Sequence, residues 1–136
     1  MSAILVDTAM WIEFFSSKPK VTTRDLDLLE SRITEDEVVI IQPIRAELLS
    51  GNVQSHRRNE VKTLLSSIKS ADLDWNLSTT WDEIIALGDL AKSVRMKMPG
   101  VVDRMIILAA IRRGAEISSL DHSLMQLFEL AKASLT

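Results

Sequence analysis

Two apolar runs, Ala3-Ile4-Leu5-Val6 and Val38-Val39-Ile40-Ile41, limit what this 136-residue chain can fold into more than any other feature. Each is too short for a buried helix, and neither alternates with polar residues, so both faces of each run must be covered. A strand buried on both faces belongs to a parallel sheet with helices packed against it. The intervening segments have the matching helical periodicity. Thr8 is a candidate cap for a helix through Trp11, Ile12 and Phe15. Leu26, Leu28, Leu29 and Ile33 mark an amphipathic helix over residues 22–33, capped by Thr22 or Thr23. Pro43 suits the first turn of a helix that ends at Gly51.

Further along, Val61, Leu64, Leu65 and Ile68 form one face of a helix over residues 57–68. Leu73, Trp75 and Leu77 alternate with polar residues, which predicts a strand over 71–77. Ser78 or Thr79 caps a helix holding Trp81, Ile84, Ile85, Leu87 and Leu90. Residues 101–113 are almost wholly apolar until the last turn, the pattern of a buried helix, and Gly114 closes it. Residues 116–120 form a weaker strand, followed by a helix over Leu124, Leu127, Phe128 and Ala131. Residues 133–136 read as a short edge strand or a frayed end. Strands alternating with helices predict an α/β fold with a mostly parallel sheet, as one domain over residues 1–136 without linker or repeat.

Composition narrows the chemistry. The chain has no cysteine and two histidines, which excludes disulfides and thiolate zinc sites, so any metal must be held by oxygen. The absence of cysteine also fits a cytoplasmic protein. No apolar run approaches the ~20 residues needed to cross a bilayer, and the first residues lack the basic start of a signal peptide. A net charge of −3 argues against a broad nucleic-acid footprint. Arg57 with Arg58, Arg95 with Lys97, and Arg112 with Arg113 nevertheless cluster the positive charge. Six aromatics and no tyrosine argue against a base-stacking platform.

Four acids stand where a carboxylate is costly. Asp7 follows the first strand, at the carboxyl edge where sites of open α/β sheets lie, although capping a helix is the simpler role. Glu47 shares a helix face with Ile44 and Leu48, so it is read as facing inward and needing a partner, unless it is a rim residue reaching water. Asp103 opens the most apolar helix, where satisfying amide groups and the dipole would suffice, and Arg104 beside it is a candidate pair partner. Asp121 follows the weak strand and is also a candidate cap; Ser119 adds a hydroxyl that supports a site or turns the chain. Their convergence gives the argument its force. In a parallel βα sheet, strand ends and following helix starts meet on one edge. Four carboxylates gathered there repel one another and call for a hard divalent cation, Mg²⁺ or Mn²⁺, as in a metal-dependent nuclease.

Taken together these segments resemble PIN domains, in particular toxins of the VapC type. Leu5-Val6-Asp7-Thr8-Ala9-Met10-Trp11-Ile12-Glu13-Phe14-Phe15 is similar to the opening motif, and residues 43–51, with Glu47, to the second. Residues 103–110 resemble the third acid with its apolar, alanine-ending helix, and Ser119-Leu120-Asp121 the fourth element. The elements occur in family order from Leu5 to Phe128. Two places depart from the pattern: Arg104 stands where a small residue is common, and Ser123 and Leu124 stand where a second aspartate and a phenylalanine often follow.

The resemblance implies a three-layer α/β/α domain, Mg²⁺- or Mn²⁺-dependent endonucleolytic cleavage of RNA, a homodimer, and a cognate antitoxin. It implies that Asp7, Glu47 and Asp103 ligate metal and that Asp121 does so directly or through water. By the same resemblance Thr8 and Ser119 orient the carboxylates, and Arg104, or one of the other basic residues, is a candidate contact for RNA phosphate. The rival readings are a phosphohydrolase with an aspartyl nucleophile, a phosphoacceptor receiver domain, and an inactive partner-binding module. The first needs a second aspartate two places after Asp7, where Ala9 stands; the second opens with paired acids, where Asp7 stands alone.

Overall fold

The computed structural model of the chain describes residues 3–135. The two apolar runs become β1 (Ile4–Val6) and β2 (Val38–Ile40), and each is followed by a helix, α1 (Thr8–Phe15) and α3 (Gln42–Glu47). Between them lies α2 (Thr23–Thr34), started by Thr22, whose side chain accepts from the Asp25 amide at 3.1 Å. At the other end of the chain, α6 (Val101–Arg113) leads into β4 (Glu116–Ser118) and α7 (His122–Leu135). The four described strands form one parallel sheet in the order β3-β2-β1-β4, with β3 reduced to Lys69–Ser70. This is the α/β class that the two buried runs dictate.

Register brings the two ends of the chain together. Val6 pairs with Ser118, and the Asp7 amide donates to the Ser118 carbonyl at 2.9 Å. Residues just past β1 and just past β4 are therefore neighbours on the carboxyl edge of the sheet. Helix α6 packs on β1 and β4 and runs back across the sheet, so its first turn lies at that same edge. Six successive residues, Met105 to Ala110, are buried, which explains an apolar sequence with no polar face. Gly114 stops the helix at φ +65°, where a side chain would be strained, and the Ala115 amide reaches back to the Ala110 carbonyl at 2.8 Å. Trp11, Phe128, Leu124, Leu5 and Ile106 to Leu108 fill the core between these elements.

Five local expectations change. Asp7, rather than Thr8, caps α1. Leu77 precedes α5 (Ser78–Ser93) and no side chain caps it; the Thr80 hydroxyl instead donates to the Asp74 carbonyl at 3.0 Å. The helix expected over residues 57–68 begins as a 3₁₀ turn, Ser55–Arg57, before α4 (Arg58–Ser66). Most of the strand expected over 71–77 is a folded loop: Asp72 accepts from the Gln42 amide, Trp75 Nε1 and Ser70 Oγ, at 2.9, 2.8 and 2.9 Å, and Trp81 Nε1 donates to the Trp75 carbonyl. Those side-chain bonds replace a strand ladder. At the carboxyl end, α7 continues to Leu135 in place of an edge strand, and Thr136 lies outside the described residues.

Candidate active site

Asp7 is the anchor. It is 7% exposed, one of two buried polar residues among those described, with Thr80. Both carboxylate oxygens are used: Oδ1 accepts from the Thr8 amide at 2.7 Å, and Oδ2 accepts from Ser119 Oγ at 2.8 Å. The first bond caps α1 and the second crosses from β1 to β4, so one side chain starts a helix and ties two strand ends together.

Two hydroxyls extend the arrangement. Thr8 Oγ1 donates to Glu47 Oε1 at 3.3 Å. Ser119 Oγ accepts from the Asp121 amide at 3.0 Å, and Asp121 Oδ1 accepts from the amides of Ser123 and Leu124 at 2.9 and 3.2 Å, capping α7. Glu47, Thr8, Asp7, Ser119 and Asp121 thus form one connected series. Glu47 does not face inward as expected. It is exposed on the flank of α3, while Ile44 and Leu48 are fully buried. The chain kinks shortly after it, where Ser50 and Gly51 (φ +124°) leave helical geometry, and Glu47 sits at the rim with its head toward Thr8.

Asp103 joins them through the electrostatic field. Its carboxyl is held above the ordinary carboxylate range, first by burial, then by the negative charges of Asp7 and Asp121, and also by Glu47; a backbone hydrogen bond from Gly100 pulls the other way. All three other acids therefore act on this one group. Arg104, next in the chain, does not offset them. Among the described residues, however, no three Asp, Glu or His side chains are drawn into a single coordination sphere. The donor set is nonetheless that of a hard cation: carboxylate and hydroxyl oxygens and no sulfur, with Asp7, Asp121 and Glu47 all repelling a charge on Asp103.

The expected phosphate contact, Arg104, points inward. Its Nε donates to the Pro99 carbonyl at 3.1 Å and its Nη1 to the Ile84 carbonyl at 3.2 Å. A guanidinium tied to two backbone carbonyls has its Nε and Nη1 engaged within the fold. Two of the three basic clusters are also engaged internally: Arg57 with the Phe15 carbonyl, Arg58 with the Leu49 carbonyl, Arg112 with Glu83, and Arg113 with the Asp72 carbonyl. Sequence reasoning missed the inward role of Arg104, although a signal was present. Gly88, a glycine inside an otherwise good helix, marks a place where another group comes close.

A groove of about 350 Å³ opens beside Ser119, lined by Met10, Leu28, Leu29, Arg32 and Leu120 among others. None of the four acids lines it. No helix among the described residues is long and apolar enough to cross a membrane.

A parallel α/β sheet with acids at its carboxyl edge is the architecture of a class, and comparison with known proteins supplies the family. The chain belongs to the PIN domain family, whose model matches residues 4–127. Among curated relatives it is similar to a VapC ribonuclease of Mycobacterium bovis and to Ribonuclease VapC11 of Mycobacterium tuberculosis. Each is 24% identical over 114 residues, covering 84% of this chain and 83% of the relative. Among solved structures it resembles a chain of the FitAcB crystal structure from Neisseria gonorrhoeae, with a TM-score of 0.67, 20% identity, and 93% of each chain covered.

Proposed function

We propose that this protein is an endoribonuclease that hydrolyses RNA phosphodiesters with a bound Mg²⁺ or Mn²⁺, and that it is the toxin of a toxin–antitoxin pair. The observation that carries the chemistry is the series of bonds from Glu47 through Thr8, Asp7 and Ser119 to Asp121, with Asp103 near enough for Asp7, Asp121 and Glu47 to raise its carboxyl. The family and the ribonuclease relatives supply the substrate class. Asp7, Glu47 and Asp103 are the proposed metal ligands, with Asp121 ligating directly or through water. A divalent ion held there supplies the positive charge that polarises a phosphodiester and acidifies an attacking water.

The protein's own part in that chemistry is to hold anionic oxygens still. Ser119 Oγ and the Thr8 amide fix both oxygens of Asp7, and Thr8 Oγ1 steadies Glu47. Such supporting bonds set the direction of ligand lone pairs. A second copy of this chain and a cognate antitoxin are the proposed protein partners, the latter covering the acidic edge.

The test is cleavage of a mixed pool of RNAs by the purified full chain, in Mg²⁺ or Mn²⁺ and in chelator. Cleavage that needs the ion and is lost in Asp7→Asn supports the proposal. Equal cleavage in chelator, or wild-type cleavage by Asp7→Asn, overturns it.

A further inference from the structure

We infer that Arg104 is a positioning residue for Asp103: its guanidinium ties the segment entering α6 to the backbone of α5, across a gap kept open by Gly88. The inference rests on the proposed role of Asp103 as a metal ligand and adds two residues that hold it in place.

Helix α6 begins without the usual fastening. Its N-cap is Gly100, which has no side chain to accept from the free amides of the first turn. Arg104 supplies the fastening from the side. Its amide closes the first helical bond to the Gly100 carbonyl at 3.0 Å, its Nε holds the Pro99 carbonyl, and its Nη1 reaches the Ile84 carbonyl one helix away. Ile84 lies inside α5, where its carbonyl has a second lone pair to offer.

The far end of this tie explains a residue that local propensity disfavours. Gly88 is buried in the interior of the sixteen-residue α5, where alanine would be the better helix former. A Cβ at that position would stand 2.8 Å from Arg104 Nη1 and 3.5 Å from Met98 Sδ. Only glycine leaves room for the guanidinium against the helix backbone.

The same short segment holds Asp103. Gly100 donates a backbone hydrogen bond to the Asp103 carboxylate, in the manner of an acid in the first turn reaching back to its own cap. Pro99 and Gly100 are thus gripped by Arg104 at one carbonyl and by Asp103 at the adjoining amide. Releasing the guanidinium frees that segment and, with it, the direction of the Asp103 carboxylate.

The experiment is direct calorimetric titration of Mn²⁺ into the full-length wild type, Gly88→Ala, Arg104→Met, the double variant and Asp103→Asn, each checked by circular dichroism and melting. Gly88→Ala is the sharper probe, because it pushes the guanidinium aside without altering either Arg104 or Asp103 and favours the helix it sits in. Both single variants are expected to bind Mn²⁺ roughly tenfold more weakly, the size typical of lost support behind a metal ligand. The double variant should be no weaker than the worse single one, since both break one tie. Wild-type affinity in Gly88→Ala overturns the inference even if its melting temperature falls, because the tie would then be structural only; that variant decides the matter if Arg104→Met does not fold. Binding lost in Asp103→Asn but intact in Gly88→Ala and Arg104→Met removes the positioning role alone. Wild-type binding in Asp103→Asn removes the ligand assignment and the positioning role with it.

Discussion

Ser119 donates its hydroxyl to the Asp7 carboxylate at 2.8 Å, joining residues 112 apart in sequence. The bond follows from register: Val6 pairs with Ser118, so the residues just beyond them meet where β1 and β4 end. The same oxygen accepts the Asp121 amide at 3.0 Å. One hydroxyl thus fixes the orientation of one acid by donating and the backbone of another by accepting.

Ser119→Ala removes both bonds at small cost in volume. The fold is expected to persist, while Mn²⁺ affinity or cleavage falls roughly tenfold to a hundredfold, the range seen when support behind metal ligands is lost. Ser119→Thr keeps the hydroxyl and should restore most of the loss. Titration with Mn²⁺ and cleavage rates on the two variants check this, and equal behaviour of the Ala and Thr variants would rule out the hydroxyl as the cause.

Asp7 caps α1 and is a proposed metal ligand, two roles that substitution can separate. Asparagine keeps an oxygen for the Thr8 amide and is as good an N-cap as aspartate, whereas alanine leaves that amide without its partner. Asp7→Asn should therefore lose cleavage without loss of stability. Asp7→Ala should lose cleavage and, relative to Asp7→Asn, about 1 kcal/mol of folding stability. Chemical denaturation of the two variants measures the difference; no difference would mean that the cap contributes nothing.

The raised carboxyl of Asp103 gives a pH dependence with a definite sign. Its folded pKa lies above its unfolded value, near 3.9 in model peptides. Its stabilising contribution is then fully present at pH below that value and is lost as pH rises through the folded pKa. At neutral pH without metal, the ionised group opposes folding. Asp103→Asn should raise the melting temperature at pH 7 and lose that advantage at pH 3. Melting curves across that range test it, and a variant that is less stable than wild type at pH 7 would contradict the electrostatic account.

Much of this was legible because burial writes itself into short patterns. Uniformly apolar runs gave β1 and β2, and residues 101–113 gave α6 with its stop at Gly114. The segment over 71–77 misled because Leu73, Trp75 and Leu77 alternate like a strand, whereas Asp72 and Trp75 satisfy polar groups through side-chain bonds that no periodicity records. Glu47 was read from its apolar neighbours Ile44 and Leu48, and residue spacing does not show that its head turns along the flank of α3 to the Thr8 hydroxyl. Arg104 looked available because a basic residue beside an acid suggests solvent and substrate. Its partners are backbone carbonyls at Pro99 and Ile84, which carry no identity in sequence, and only Gly88 hinted at them.

The central claim, that four carboxylates share one cation, is tested most directly by melting wild type and Asp103→Asn against increasing Mn²⁺ at neutral pH. A ligand that binds only the folded state adds ~2.7 kcal/mol at a hundredfold excess over its dissociation constant, about 10 °C for a chain of this size. Wild type should start lower and climb, whereas Asp103→Asn should start higher and stay nearly flat, so the two curves cross. A wild type that does not respond to Mn²⁺, or a variant that climbs in parallel with it, would contradict the shared site.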